Sequence, residues 1–178
     1  MLSPKILIVD DEENILNALQ RLFRKENYRI LTAISAEEAL KIMEEQDVDL
    51  VISDLKMPVT NGVEFLAMVK EKKPDALRIM LTGHADLKSV IEAIEKGEVY
   101  RFLLKPWDDE ELKVTIKRAL EFHNLQKENQ TLTHTIKKQN TIITELEKQC
   151  PGITSVKRDR DGSVILDVEE AIKESGEI

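Results

Sequence analysis

The chain is poor in the features that would staple a small protein or hold it to a membrane. It has a single cysteine, Cys150, which excludes an internal disulfide framework and fits a reducing compartment. No apolar stretch approaches the roughly 18 residues a membrane helix needs. The amino terminus, Met1 to Lys5, runs into a short apolar segment and two aspartates, too short and too acidic for a signal peptide. A cytoplasmic protein with no membrane partner is expected. Charged residues are abundant, but acidic ones outnumber basic ones, 34 to 26. The formal net charge is −8, so bulk electrostatics offer nothing to nucleic acid or an anionic lipid surface. At 178 residues there is room for one sizeable core and a small appendage.

What is present is an alternation. Ile6–Val9, Arg29–Ala33, Val48–Ser53, Leu77–Leu81 and Val99–Leu104 read as short strands, the apolar ones as buried parallel strands. Between them lie helical patterns. Glu13–Lys25 places Ile15, Leu16, Leu19, Leu22 and Phe23 on one face. Ser35 with Glu38 forms a capping box before Ala39, Leu40 and Met43. Val63–Lys72 ends ahead of Pro74, and Asp86 caps a helix running to about Lys96, stopped by Gly97. Met57-Pro58 and Asn61-Gly62 punctuate the loop after the third strand. Five such units predict an α/β doubly wound five-stranded parallel sheet of flavodoxin-like order 2-1-3-4-5.

Polar residues stand where four of these runs end: Asp10-Asp11, Asp54, Thr82 and Lys105. In an open α/β sheet the carboxyl ends of the strands share one crevice. Three carboxylates, a hydroxyl and an ammonium gathered there suit a divalent cation and a phosphoryl group, because magnesium wants hard oxygen ligands. A carboxylate attacks phosphorus only when the phosphoryl charge is neutralised and the geometry is in line. Singly, each residue has a blander role: an aspartate caps a helix or opens a turn, and a lysine before Pro106 is a solvated loop residue. Four successive strand ends together outweigh those readings.

Val9-Asp10-Asp11, Asp54-Leu55-Lys56-Met57-Pro58, Leu81-Thr82-Gly83 and Lys105-Pro106 give residues 5–120 a specific resemblance to the receiver domain of bacterial two-component response regulators. The resemblance implies that Asp54 is the phosphoacceptor. It implies Mg2+ held by Asp11, Asp54 and the Lys56 backbone carbonyl, with Asp10 assisting through a water. It makes Thr82 and Lys105 the phosphoryl-contacting residues and Phe102 the switch aromatic, with Tyr100 as the competing ring. His84, two residues after Thr82, is a candidate influence on phosphoryl lifetime. A sensor histidine kinase is the implied donor and an unknown downstream protein the implied target. An aspartate-based phosphatase of haloacid dehalogenase type is excluded, since it requires a second Asp where Lys56 stands.

Glycine and proline are missing from Asp108 to Cys150. The expectation is one helix of about forty residues, roughly 60 Å at 1.5 Å per residue, capped by Asp108 or Asp109. From Phe122 a heptad places Phe122, Asn129, Ile136 and Ile143 at a, and Leu125, Leu132, Gln139 and Leu146 at d, a coiled-coil seam. Asn129 at an a position favours a parallel homodimer. Several threonines lower the intrinsic helicity of this segment. The expected organisation is a receiver over 1–121, a coiled-coil helix over 122–149 continuous with its last helix, and a tail over 150–178. The tail reads as a hairpin (Ile153–Val156 and Val164–Leu166) and a short helix, Val168–Ser175. No HD-type metal cluster and no Gly-Gly-Asp-Glu-Phe signature is found; His123 and His134 read as isolated. Acidic residues outnumber basic ones in both 108–150 and 151–178, so direct nucleic-acid binding is not expected. The leading function is a phosphorylation-switched regulator of protein contacts and not an enzyme beyond self-phosphotransfer and self-dephosphorylation. Two alternatives stand beside it: a phosphorylation-independent dimerisation adaptor, and the receiver portion of a longer regulator with an output enzyme domain.

Overall fold

Strands that are apolar on both faces are stable only inside a sheet covered on both sides, and the alternation along each strand assigns every side chain to one layer. The computed structural model describes residues 3–83, Ile91, Ile94 and 99–149. Its elements run β1 (Lys5–Val9), α1 (Glu13–Phe23), β2 (Arg29–Ala33), α2 (Ala36–Glu45), β3 (Leu50–Asp54), α3 (Gly62–Lys72), β4 (Leu77–Thr82), β5 (Arg101–Leu104) and α4 (Asp109–Gln149). All strand pairs are parallel and the order is β2-β1-β3-β4-β5, as the alternation of strand and helix predicts. The expected helix after Thr82, His84 and the tail elements fall outside the described residues.

Ile6, Ile8, Leu50, Ile52, Leu77, Ile79 and Leu81 meet Leu16, Leu19 and Phe23 of α1 and Leu112, Ile116, Ala119 and Leu120 of α4. Leu7, Val9, Val51 and Met80 face the other way, against Ala39 and Met43 of α2 and Phe65, Leu66 and Val69 of α3. Burying each Leu, Ile or Phe contributes about 1.5–3 kcal/mol, so the two layers hold the sheet rigid and fix where its carboxyl ends point.

The helix starts follow local chemistry. The Ser35 Oγ accepts the Glu38 N–H at 3.2 Å. The Glu38 carboxylate accepts from the Ile34 N–H rather than from Ser35, so the expected box closes one residue early. Asn61 caps α3 through the Glu64 N–H. Asp108 caps α4, its Oδ1 accepting from Glu110 and Glu111. The chain divides into two compact units, with the boundary between Lys127 and Glu128 inside α4. In the second unit Thr135, Thr141 and Thr144 each donate a hydroxyl to the carbonyl four residues back, which satisfies the hydroxyl without strengthening the helix.

Candidate functional site

Three parallel strands deliver the charged centre. Asp10 follows β1, Asp54 closes β3 and Lys105 follows β5. The Lys105 Nζ lies 2.7 Å from the Asp10 Oδ2 and 2.5 Å from the Asp54 Oδ1, one ammonium shared by two carboxylates. The second oxygen of Asp54 accepts the Lys56 N–H at 2.6 Å, and that of Asp10 accepts the Glu12 N–H at 3.0 Å. Backbone bonds lock the register of these loops: Asp10 N–H to Ala33, Leu55 N–H to Leu81, and Lys105 N–H to Thr82 at 2.7 Å. Thr82, at the end of β4, is 1% exposed and donates its hydroxyl to the Gly83 carbonyl at 3.1 Å. The peptide bond between Lys105 and Pro106 is cis.

Gly62 is required here by close approach. A Cβ on it would come 2.1 Å from the Asp54 carbonyl oxygen, so only glycine lets α3 start against the acceptor strand. Its N–H bonds the Leu55 carbonyl at 2.8 Å, closing the loop.

Burial is the dominant influence on Asp10 and raises its carboxyl above the usual range; the Lys105 ammonium and the Glu12 N–H offset this in part. Burial pulls the other way on Lys105, but its bonds to Asp10 and Asp54 overcome it and raise the ammonium. Lys105 is therefore firmly charged and stands where a cation belongs. Two convergent carboxylates with hard oxygen donors fit a magnesium ion in kind. Asp11 is exposed on the loop entering α1. Among the described residues no three Asp, Glu, His or Cys side chains are gathered into one cluster.

Phe102 pairs with Met80 in the sheet and packs, half-buried, against the α2–α3 layer. Tyr100 shares its parity but precedes β5 and instead stacks on Phe122 of α4, ring centroids 5.5 Å apart. Phe122 thus already has an aromatic neighbour. Leu125, Leu132, Ile136, Ile143 and Leu146 are exposed along α4, as is Asn129.

At the opposite, amino end of β3 lies a cluster that the sequence reading does not assemble. His123, read there as isolated, is buried with its Nε2 3.4 Å from the Asp49 Oδ1. Lys127 bonds the same oxygen at 2.7 Å, and the Lys5 N–H bonds the Oδ2 at 2.9 Å. The nearby imidazole, with Lys127 and the Lys5 N–H, holds the Asp49 carboxyl far below the usual range against the opposing effect of burial. His123 and Lys127 stand four apart on a helix and so share a face; that was the available signal.

A family model described as the response regulator receiver domain matches residues 6–117. The chain therefore belongs to the response regulator receiver family. It is 33% identical over 144 residues to the hydrogenase transcriptional regulatory protein HoxA of Cupriavidus necator, a match covering 81% of this chain and 30% of that protein. The chain spans less than a third of the length of the curated regulators it matches. Among solved structures it is similar to the signal receiver domain of an HD domain-containing protein from Pseudomonas fluorescens Pf-5. That match has 41% identity and a TM-score of 0.69, covering 72% of this chain and 94% of that one. A response regulator receiver domain from Clostridium thermocellum matches at 36% identity and a TM-score of 0.65, with 69% and 98% covered.

Proposed function

We infer that the chain accepts a phosphoryl group on Asp54 from the phosphohistidine of a sensor histidine kinase, and switches protein contacts in response. The convergence of Asp10 and Asp54 on the one ammonium of Lys105 carries this reading. An Asp54 carboxylate oxygen attacks phosphorus, the P–O bond forms as the P–N bond breaks, and the departing imidazole takes a proton. Lys105 turns from the carboxylates to a phosphoryl oxygen, and Thr82 redirects its hydroxyl from the Gly83 carbonyl to another. Asp11, Asp54 and the Lys56 carbonyl are the residues that would hold Mg2+, with Asp10 assisting, and the ion would neutralise the phosphoryl charge. Movement of Thr82 leaves space that Phe102, already packed beside Met80, can take. These steps are self-phosphotransfer; in self-dephosphorylation water attacks the phosphorus, the bond to the Asp54 oxygen breaks, and the carboxylate and inorganic phosphate are released. Turnover of another substrate is not part of the reading. A cytoplasmic setting agrees with the absence of a membrane-length apolar helix among the described residues.

Incubated with magnesium and a small acyl phosphate, the full chain should gain about one phosphoryl mass, and Asp54→Asn should gain none. Equal labelling of that variant ends the assignment.

The domain proposal is a receiver over 1–121, a helical extension over 122–149 and a tail over 150–178. The exposed stripe from Leu125 to Leu146 supports pairing of the extension with a second copy, and Asn129 at an a position supports a parallel two-stranded arrangement. Light scattering should show a dimer for the full chain and a monomer for a chain ending at Lys127, a cut that keeps His123 and Lys127 on Asp49. A full chain that stays monomeric at tens of micromolar, phosphorylated or not, refutes the dimer. The downstream target, whether a separate protein or an output domain such as the longer relatives' extra length allows, is reached through these contacts.

A further inference from the structure

Several surface lysines of this chain stand beside carboxylates: Lys41 on Glu37, Lys72 on Glu44, Lys73 on Asp47 and Lys127 on Asp49. The last turn of α1 and the residues after it depart from that pattern. Arg21, Arg24 and Lys25 are all exposed, and none of them makes an ion pair among the described residues. Carboxylates are not in short supply, since the chain has 34 acidic residues against 26 basic ones. A helix C-terminus favours a cation through its dipole, but cations crowded side by side repel one another. An anion between them relieves that repulsion.

The space beside them has a defined shape. Arg21, Arg24 and Lys25 line one side of a cavity of about 550 Å³, and Trp107, Asp109 and Lys113 at the start of α4 line the other. Trp107 packs, half-buried, on the core layer that α1 and α4 share. Its Nε1–H is donated to the Asp109 carboxylate at 3.2 Å, and Lys113 is held by Glu110 at 2.9 Å. The indole is therefore fixed in place with its polar atom satisfied. Glu26 also lines the cavity, one carboxylate against three unpaired cations. Arg21 and Arg24 border a second cavity as well, of about 640 Å³, with the amide side chains of Asn14 and Asn17. Volumes of this order hold a small organic ligand. Guanidinium forks match phosphate oxygens in pairs, and an indole offers a face for a flat ring. Phosphate alone would leave Trp107 without a role; a ring joined to phosphates uses both sides of the cavity.

We propose that the cavity between α1 and the start of α4 binds a nucleoside di- or triphosphate, its base on Trp107 and its phosphates on Arg21, Arg24 and Lys25. This site is separate from the phosphoryl acceptor and stands or falls without it. Trp107 is the one tryptophan of the chain, so its fluorescence reports on the cavity directly. The full chain, without magnesium, is titrated with ADP and with inorganic pyrophosphate, and the affinities are checked by calorimetry. ADP should quench Trp107 to saturation. Pyrophosphate, which lacks the ring, should bind about fivefold or more weakly than ADP. Arg21→Gln combined with Arg24→Gln should weaken ADP by about tenfold or more. Both changes are exposed and keep a good helix former, so the melting temperature should stay close to that of wild type. Lys137→Gln combined with Lys138→Gln removes as much charge from another exposed stretch and should leave ADP within about twofold. Lys105 lies near Trp107 in sequence, so Lys105→Met is the control for binding at the aspartate pair, and ADP should bind it as it binds wild type. No saturable quench, or pyrophosphate as tight as ADP, overturns the site. So does a loss in either lysine control equal to that in the double arginine variant.

Discussion

Strand β3 has an aspartate at each end, and the two are treated in opposite ways. At the carboxyl end, Asp54 and Asp10 compete for the one ammonium of Lys105. At the amino end, Asp49 alone receives Lys127, the Lys5 N–H and the approach of His123. One end shares a single ammonium between two carboxylates, and the other gives one carboxylate an ammonium, a backbone N–H and a neighbouring imidazole. Burial raises the Asp10 carboxyl against the opposing pull of Lys105 and the Glu12 N–H; the imidazole and its companions lower that of Asp49. A carboxylate lowered in the folded state stabilises the fold, and one raised does the reverse. The fold therefore loses stability at Asp10, at the carboxyl end of the sheet, and gains it at Asp49, where β3 begins beside α4. Electrostatic shortage at a site is what leaves it open to a new cation and a new anion.

The largest expected break of this contrast comes from the well-supplied end. Asp49→Asn leaves Lys127 and the buried His123 facing an amide and should destabilise the receiver by about 2 kcal/mol. Acyl phosphate labelling of Asp54 should persist in this variant below its melting point, since the cluster lies at the other end of the strand. The pH dependence has a definite sign. The lowered Asp49 carboxyl contributes stability that is complete above its ordinary value of 3.8 and is lost as pH falls through its folded value. Chemical denaturation of wild type and Asp49→Asn should thus give curves that converge under acid. Parallel curves across the acid range would mean that Asp49 acts by packing alone.

How much of this was readable beforehand follows from the range of the interactions involved. The sheet, its order and the four polar strand ends are written in short periodicities, and each is local. Asp49 and His123 are far apart in sequence, and nothing in either neighbourhood names the other. Asn61-Gly62 reads as a turn signal, yet Asn61 caps α3 and Gly62 is its first residue, because the close approach to the Asp54 carbonyl is a tertiary fact. Valine is disfavoured at left-handed φ, so the φ of 71° at Val59, in the loop after β3, runs against local propensity. Phe122 fits an a position by spacing, whereas its stacking on Tyr100 depends on where α4 crosses β5. Asp10 and Asp54 read as neighbours from their strand ends alone, whereas the single ammonium that bridges them, Lys105, comes from the end of β5, 95 residues beyond Asp10.

The smallest expected effect sharpens the shortage at the carboxyl end. Lys105 sits on the oxygens of Asp10 and Asp54 that face the shared centre, so a divalent cation using those carboxylates has to displace an ammonium first. Lys105→Met keeps the length and the packing of the stem while removing the charge. Two effects then compete in the variant. Loss of the positive charge leaves the two carboxylates repelling each other, which loosens the site; loss of the competitor strengthens cation binding. The second effect dominates, because the ammonium sits on the oxygens the cation would use. Calorimetric titration should show magnesium binding tighter by about threefold to tenfold, or roughly 0.7–1.4 kcal/mol. Phosphoryl uptake should move the other way if the ammonium has its proposed role of turning toward the phosphoryl oxygen. Tighter magnesium with slower labelling would assign Lys105 both parts, occupant of the resting centre and contact to the transferred group. Magnesium affinity unchanged or weakened would show that the ammonium leaves without cost, and the shortage read at this end of β3 would not govern the cation.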